Sequence, residues 1–153
     1  MAVVPLADWL GAPTWPVVAV PRSQRTGFLV HWDGGRNPAT AADEVTLLRA
    51  YHRYHLARSD NPDGFLYNLA VGPASGNVYI GRGIDALGAH AGGVNRTHVG
   101  VLLIGGPGNL TPAAKRGLRA AYALVRDTLG HDITRQVLLA VRRSFITPFD
   151  RGD

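Results

Sequence analysis

Six histidines and eleven carboxylates are the side chains with which this 153-residue chain could hold a metal ion, because it contains no cysteine. Disulfides and thiolate nucleophiles are excluded for the same reason, so a zinc site would have to be built from imidazole and carboxylate alone. Spacing singles out a few candidates. His31 closes the apolar run GFLVHW just before the turn signal DGG, which puts it at the end of a buried strand. His52 and His55 stand three apart in a stretch of helical periodicity, where two imidazoles could share a metal or pack towards a sheet. His131 and Asp132 stand together in LGHDI, ahead of the last apolar run.

The elements that must position these residues read as mixed α/β. Residues 1–25, rich in Pro and Trp without clear periodicity, read as an irregular arm packed on a domain of residues 26–153. Residues 39–58 follow Pro38 without another Pro or Gly, and Val45, Leu48, His52 and His55 or Leu56 recur at helical spacing. Asn61, Pro62, Asp63 and Gly64 break that helix. Residues 65–71, which carry Tyr67, and 77–81 then read as strands joined by the turn PASG, and residues 99–104 as another buried strand. Thr111 and Pro112 are a capping residue and a first-position proline for a helix that runs to Leu129 and stops at Gly130. Residues 137–142 read as the last central strand.

Composition bounds the rest. With 46% hydrophobic residues the chain suits one domain with a single core. It has no run of about 18 apolar residues and no basic leader, so neither membrane insertion nor a signal peptide is expected. The expected site of synthesis is the cytoplasm. The formal charge of +5 favours an anionic partner, and arginine supplies fifteen of the sixteen basic residues. No basic block or aromatic-and-basic ladder accompanies that charge, so nucleic acid is not the expected partner.

Taken in order, FLVHWDGG, FLYNLAVGPASGNVYIGRG, GAHAGGVNRTHVGVLLIGG and LTPAAKRGLRAAYALV resemble the type-2 N-acetylmuramoyl-L-alanine amidases, a family that includes short phage lysozyme-like amidases and animal peptidoglycan-recognition proteins. The resemblance covers roughly four fifths of the chain and implies a central mixed β-sheet flanked by helices. It makes His31 the equivalent of a zinc ligand, Tyr67 and Thr147 the equivalents of catalytic helpers, and Arg82, His90 and Asn95 the equivalents of groove-lining residues. The family's other two ligands fall on Val141 and Phe149, which carry no donor atom, with Asp150 one residue beyond and His131 and Asp132 as offset substitutes. A hydrolytic zinc site needs three protein ligands and an open position for water.

The resemblance therefore implies an amidase-like domain that has lost zinc-dependent hydrolysis and binds peptidoglycan or another anionic wall polymer, or serves in an assembly such as a phage particle or tail. Such a protein would reach the wall on a virion or after lysis. Two other readings stay open: an active endolysin-type amidase with altered zinc ligands, and a partner-binding regulator on the same scaffold. His31 then reads as a strand-end side chain satisfied by a local hydrogen bond, and Tyr67 as a core-edge aromatic.

Overall fold

In a computed structural model the chain is described for residues 1–59 and 63–137. Six strands form one sheet in the order β1-β4-β3-β5-β2-β6. They are β1 (Val3–Val4), β2 (Gly27–Trp32), β3 (Leu69–Val71), β4 (Val78–Ile80), β5 (His98–Leu103) and β6 (Thr134–Val137). Among the described strands the β3–β4 hairpin pairs antiparallel; β1 lies parallel to β4, β3 to β5, and β5 and β6 to either side of β2. The helices are α1 (Leu6–Trp9), α2 (Ala41–Leu56) and α3 (Pro112–Leu129). None of the described helices is long and apolar enough to cross a membrane.

Strand alternation divides the core in two. Phe28, Val30, Val99, Val101 and Leu103 face α3, where Ala114, Ala121 and Val125 are buried against them. Leu102, Ile104, Ala70 and Tyr79 belong to the opposite cluster with Leu47 and Leu48 of α2. Trp9 and Trp15 from the first 25 residues join that second cluster. The arm read as irregular thus carries an edge strand, a single helical turn and two core aromatics.

Local signals set most boundaries. Thr111 accepts a 2.9 Å bond from the Ala114 amide, Pro112 occupies the first helical position, and Gly130 ends α3 with φ of 78°. The second helix begins later than its periodicity alone predicts, because Thr40 caps it through a 3.1 Å bond from the Asp43 amide. Its inward face carries His55, while Leu56 is exposed. The ladder in the hairpin's first arm starts only at Leu69. Ahead of it, the Asn68 amide donates to Gly100 O, and Tyr67 O and Leu66 O accept from Arg82 and Ala89. The last strand begins at Thr134, opposite Gly27, three residues before its expected start. As an edge strand it needs no continuous apolar run, which is why TRQV escaped a hydrophobicity reading.

A carboxylate fastens α2 to the hairpin. Glu44, fully buried, accepts from the Ala74 and Ser75 amides at 2.8 and 2.9 Å and from the Ser75 and Tyr79 hydroxyls at 2.6 Å each. Glu44→Gln leaves an amide nitrogen facing donors, and a loss of about 2 kcal/mol in unfolding free energy is expected in urea titration. An unchanged midpoint would mean that the turn is held without this side chain.

Candidate functional site

His31 is the penultimate residue of β2, and alternation turns it away from Phe28 and Val30. It is 3% exposed, and its Nε2 lies 2.9 Å from His90 Nδ1. Behind it, His90 is fully buried, with Nε2 3.1 Å from His98 O. A carbonyl only accepts, so His90 carries its proton on Nε2 and offers a lone pair at Nδ1; His31 must then donate from Nε2. This relay fixes both tautomers. Burial pushes the His31 pKa down to about 3, and burial together with the neighbouring His31 holds His90 well below the usual imidazole range.

Space for His90 comes from Gly100 on β5, where an added Cβ would sit 2.3 Å from the imidazole. The loop that delivers His90 is tied down by three polar side chains. Asn95 Oδ1 accepts from the His90 and Ala91 amides at 2.8 and 2.9 Å. Asn68 donates to Gly83 O and Ala86 O at 2.8 Å each and accepts from the Gly100 amide. Arg25, fully buried, donates to five carbonyls, those of Ile84, Ala86, Asn95, Arg96 and His98. Its pKa falls to about 10 through burial, so the guanidinium remains charged at neutral pH.

Beyond the Tyr67 ring from the histidine pair opens a cleft of about 420 Å³, lined by Asp33, Ala50, Tyr51, Tyr54, His55, Tyr67 and Leu102. The Tyr67 ring lies 5.4 Å from that of His31 and stacks on His90 at 6.5 Å. Asp33 accepts from the Gly105 amide at 2.6 Å and from the Tyr51 hydroxyl. Burial raises the Asp33 pKa against these bonds, and burial raises Tyr51 further, which keeps its hydroxyl a donor. Tyr54 is 62% exposed and stands at the cleft's mouth.

The structure brings His31, Tyr67 and His90 together, but of the predicted site residues Tyr67 lines this cleft, whereas His31, Arg82, His90 and Asn95 do not. His90 and Asn95 lie behind it as the support of His31. Arg82 bonds Phe65 O at 2.7 Å and lies 5.4 Å from the Trp15 ring, clamping the arm to the core. His52 is apart from His55: its Nδ1 accepts from the Phe65 amide and its ring meets Trp15 edge-on. His131 donates to Arg25 O at 2.7 Å, near the Gly27 end of β2. Four residues of strand, about 13 Å, separate Gly27 from His31, so His131 and Asp132 cannot complete a site with it. Val141, Thr147, Phe149 and Asp150 lie outside the described residues.

Among the described residues no three His, Asp or Glu side chains converge as a metal would require. His31, with Nε2 engaged by His90, has the second-shell support typical of a metal-binding imidazole. The described residues fall short of the three donors that a zinc site needs, so they alone do not fit the ion. Sequence reasoning missed Asp33, Tyr51 and Tyr54. The spacing of Tyr51, Tyr54 and His55 on one helix face was their available signal, and Asp33 read only as part of a turn.

No protein-family model matches the chain. Over 129 residues it is 31% identical to peptidoglycan-recognition protein SC2 of Drosophila simulans, a match that spans 84% of the chain and 68% of that relative. The solved structure of peptidoglycan recognition protein-LE in complex with tracheal cytotoxin, a monomeric diaminopimelic acid-type peptidoglycan, superposes with a TM-score of 0.71 at 26% identity, covering 87% of this chain and 81% of that one. A Drosophila PGRP-LB variant in complex with the same cytotoxin gives 0.79 at 19% identity, over 92% and 85% of the two chains, and shows the fold alone. A separate short match stands apart: 22 residues, 14% of the chain, are 91% identical to a protein named as a pit accessory protein of Rhizobium meliloti, of which they make up 10%.

Proposed function

Since the chain belongs to the peptidoglycan-recognition protein family, we propose that it binds muropeptide in the cleft lined by Tyr67 and does so without hydrolysing it. The observation that carries this reading is the cleft's lining: three tyrosines, His55 and Asp33 around about 420 Å³, a size and mix suited to a small amphipathic ligand. Tyrosine rings offer apolar faces to sugar and aliphatic groups and hydroxyls to amides. The relay from His31 through His90 to His98 O backs the Tyr67 ring, which lines the cleft.

Binding is favoured over hydrolysis by the donor set. His31 is one described donor where three are needed, and neither Val141 nor Phe149 has a side-chain atom that could ligate. No catalytic step is therefore assigned to Tyr67 or Thr147.

Titration calorimetry with the monomeric diaminopimelic acid-type fragment is expected to show saturable binding. Tyr54→Ala, at an exposed position that folding does not need, should weaken it roughly tenfold, the loss of one aromatic contact worth about 1.4 kcal/mol. Absence of binding, or binding indifferent to Tyr54, would sink the assignment to this cleft. Purified walls incubated with the protein and zinc should release no soluble fragments; release that disappears in His31→Ala would overturn the non-hydrolytic reading.

A further inference from the structure

On the side of the sheet away from the cleft, α3 presents a row of cations. Lys115, Arg119 and Arg126 fall within about 40° of one another around the helix, and Arg116 flanks them at about 100° from Lys115. All four are exposed. Along the axis the first three stand about 6 and then about 10.5 Å apart. Arg135 of β6 joins them: with Arg119 it borders a small cleft of about 170 Å³ floored by Phe28, Val30, Leu118 and Tyr122, and its guanidinium lies 4.9 Å from the Tyr122 ring.

Among the described residues none of these five cations is ion-paired; the ion pairs there join Arg22 to Asp85 and Arg36 to Asp43. Among the described residues Asp127 and Asp132 lie at or beyond the carboxyl end of α3, where they share a depression with Arg126. Among the described residues the amino-terminal part of the row has no ion-paired carboxylate. Helix stability gives no reason for that, because the positive end of the helix dipole disfavours nearby cations. The second helix follows the usual rule with Asp43 and Glu44 in its first turn, whereas α3 has no acidic residue there.

We propose that this face is a second binding surface, for a linear phosphodiester polymer of the bacterial wall; the choice of a wall polymer rests on the reading of the cleft as a muropeptide site. Guanidinium forks match phosphate oxygens. A row of spaced cations matches a repeating anion better than a single ion. Nucleic acid single strands would need aromatic platforms for their bases, and of the described aromatic rings at the row Phe28 is buried and Tyr122 is half-buried with Arg135 beside it. Because the row and the cleft lie on opposite sides of the sheet, both can be occupied at once.

The test uses the whole chain and synthetic poly(glycerol phosphate) on a biosensor surface. Binding is expected to fall roughly 50-fold between about 50 and about 200 mM salt, as for about four phosphates engaged on a flexible strand. R116E/R119E should weaken it at least tenfold while the thermal midpoint and the affinity for the muropeptide stay unchanged. Binding that ignores this double substitution overturns the proposal. So does equally tight capture of single-stranded DNA or anionic vesicles, which would identify a general polyanion surface. Loss of muropeptide binding in the unmodified chain would count against the cleft alone, since the polymer experiment reads the other face.

Discussion

Arg25→Met is expected to lower the unfolding free energy by roughly 4 kcal/mol or more, one of the two largest effects in this molecule. The substitution keeps much of the buried volume but strips a charged donor from five carbonyls between Ile84 and His98, and each buried acceptor left unmade costs about 1–3 kcal/mol before relaxation. Arg25→Lys should lie between, because an ammonium keeps the charge but has three donors on a single nitrogen and cannot span the set. Urea titration reads the stability. Hydrogen exchange should show the amides of residues 84–98 opening first, since the guanidinium bridges both ends of that loop. A loss below about 1 kcal/mol would mean that Asn68 and Asn95 hold the loop by themselves.

Acidification from pH 7.5 to pH 5 is expected to destabilise the domain by a few kcal/mol, well before carboxylates with ordinary pKa values are protonated. The unfolded chain takes up protons on His31 and His90 near 6.5, whereas the folded chain refuses them, with His31 held down to about 3. More protons on the unfolded state means that stability rises with pH in this window; it is complete above about 6.5 and is lost as pH falls towards 3. A tenfold difference in proton affinity between the folded and unfolded chains corresponds to about 1.4 kcal/mol. His52, also depressed by burial, adds in the same direction, while Asp33, raised by burial, acts with the opposite sign at lower pH. Urea midpoints at three pH values, with a chelator present so that no metal competes for imidazole, test this. A His31→Gln/His90→Gln variant should show a flatter profile, and an unchanged slope in that variant would remove the relay as the cause.

The fold was legible wherever its determinants are local. Thr111, Pro112 and Gly130 mark α3 at both ends, and the uninterrupted run ending at DGG marks β2, with the register to β5 following from parallel pairing. Signals failed where the partner is far away in sequence. Arg25 reads as one more arginine in a basic chain, and nothing local distinguishes it from exposed Arg116; its acceptors lie 59 to 73 positions further on. Glu44 reads as a helpful first-turn acid and proves to be the buried anchor of a hairpin 30 positions away. Motif order singled out His31 and Tyr67, but order carries no depth, so it could not distinguish His90, buried behind His31, from the exposed Tyr54 that lines the cleft.

The strand order has a kinetic consequence during synthesis. The strand β2 emerges early, yet both neighbours that complete its hydrogen bonding, β5 and β6, lie 71 and 107 positions later when counted between Gly27 and its partners His98 and Thr134. Among the described strands the β3–β4 hairpin alone can close on itself as it leaves the ribosome. The pairings of β5 with β2 and β3 must wait until residue 103 has been made, so the apolar strand β2 spends that interval unpaired and exposed to aggregation.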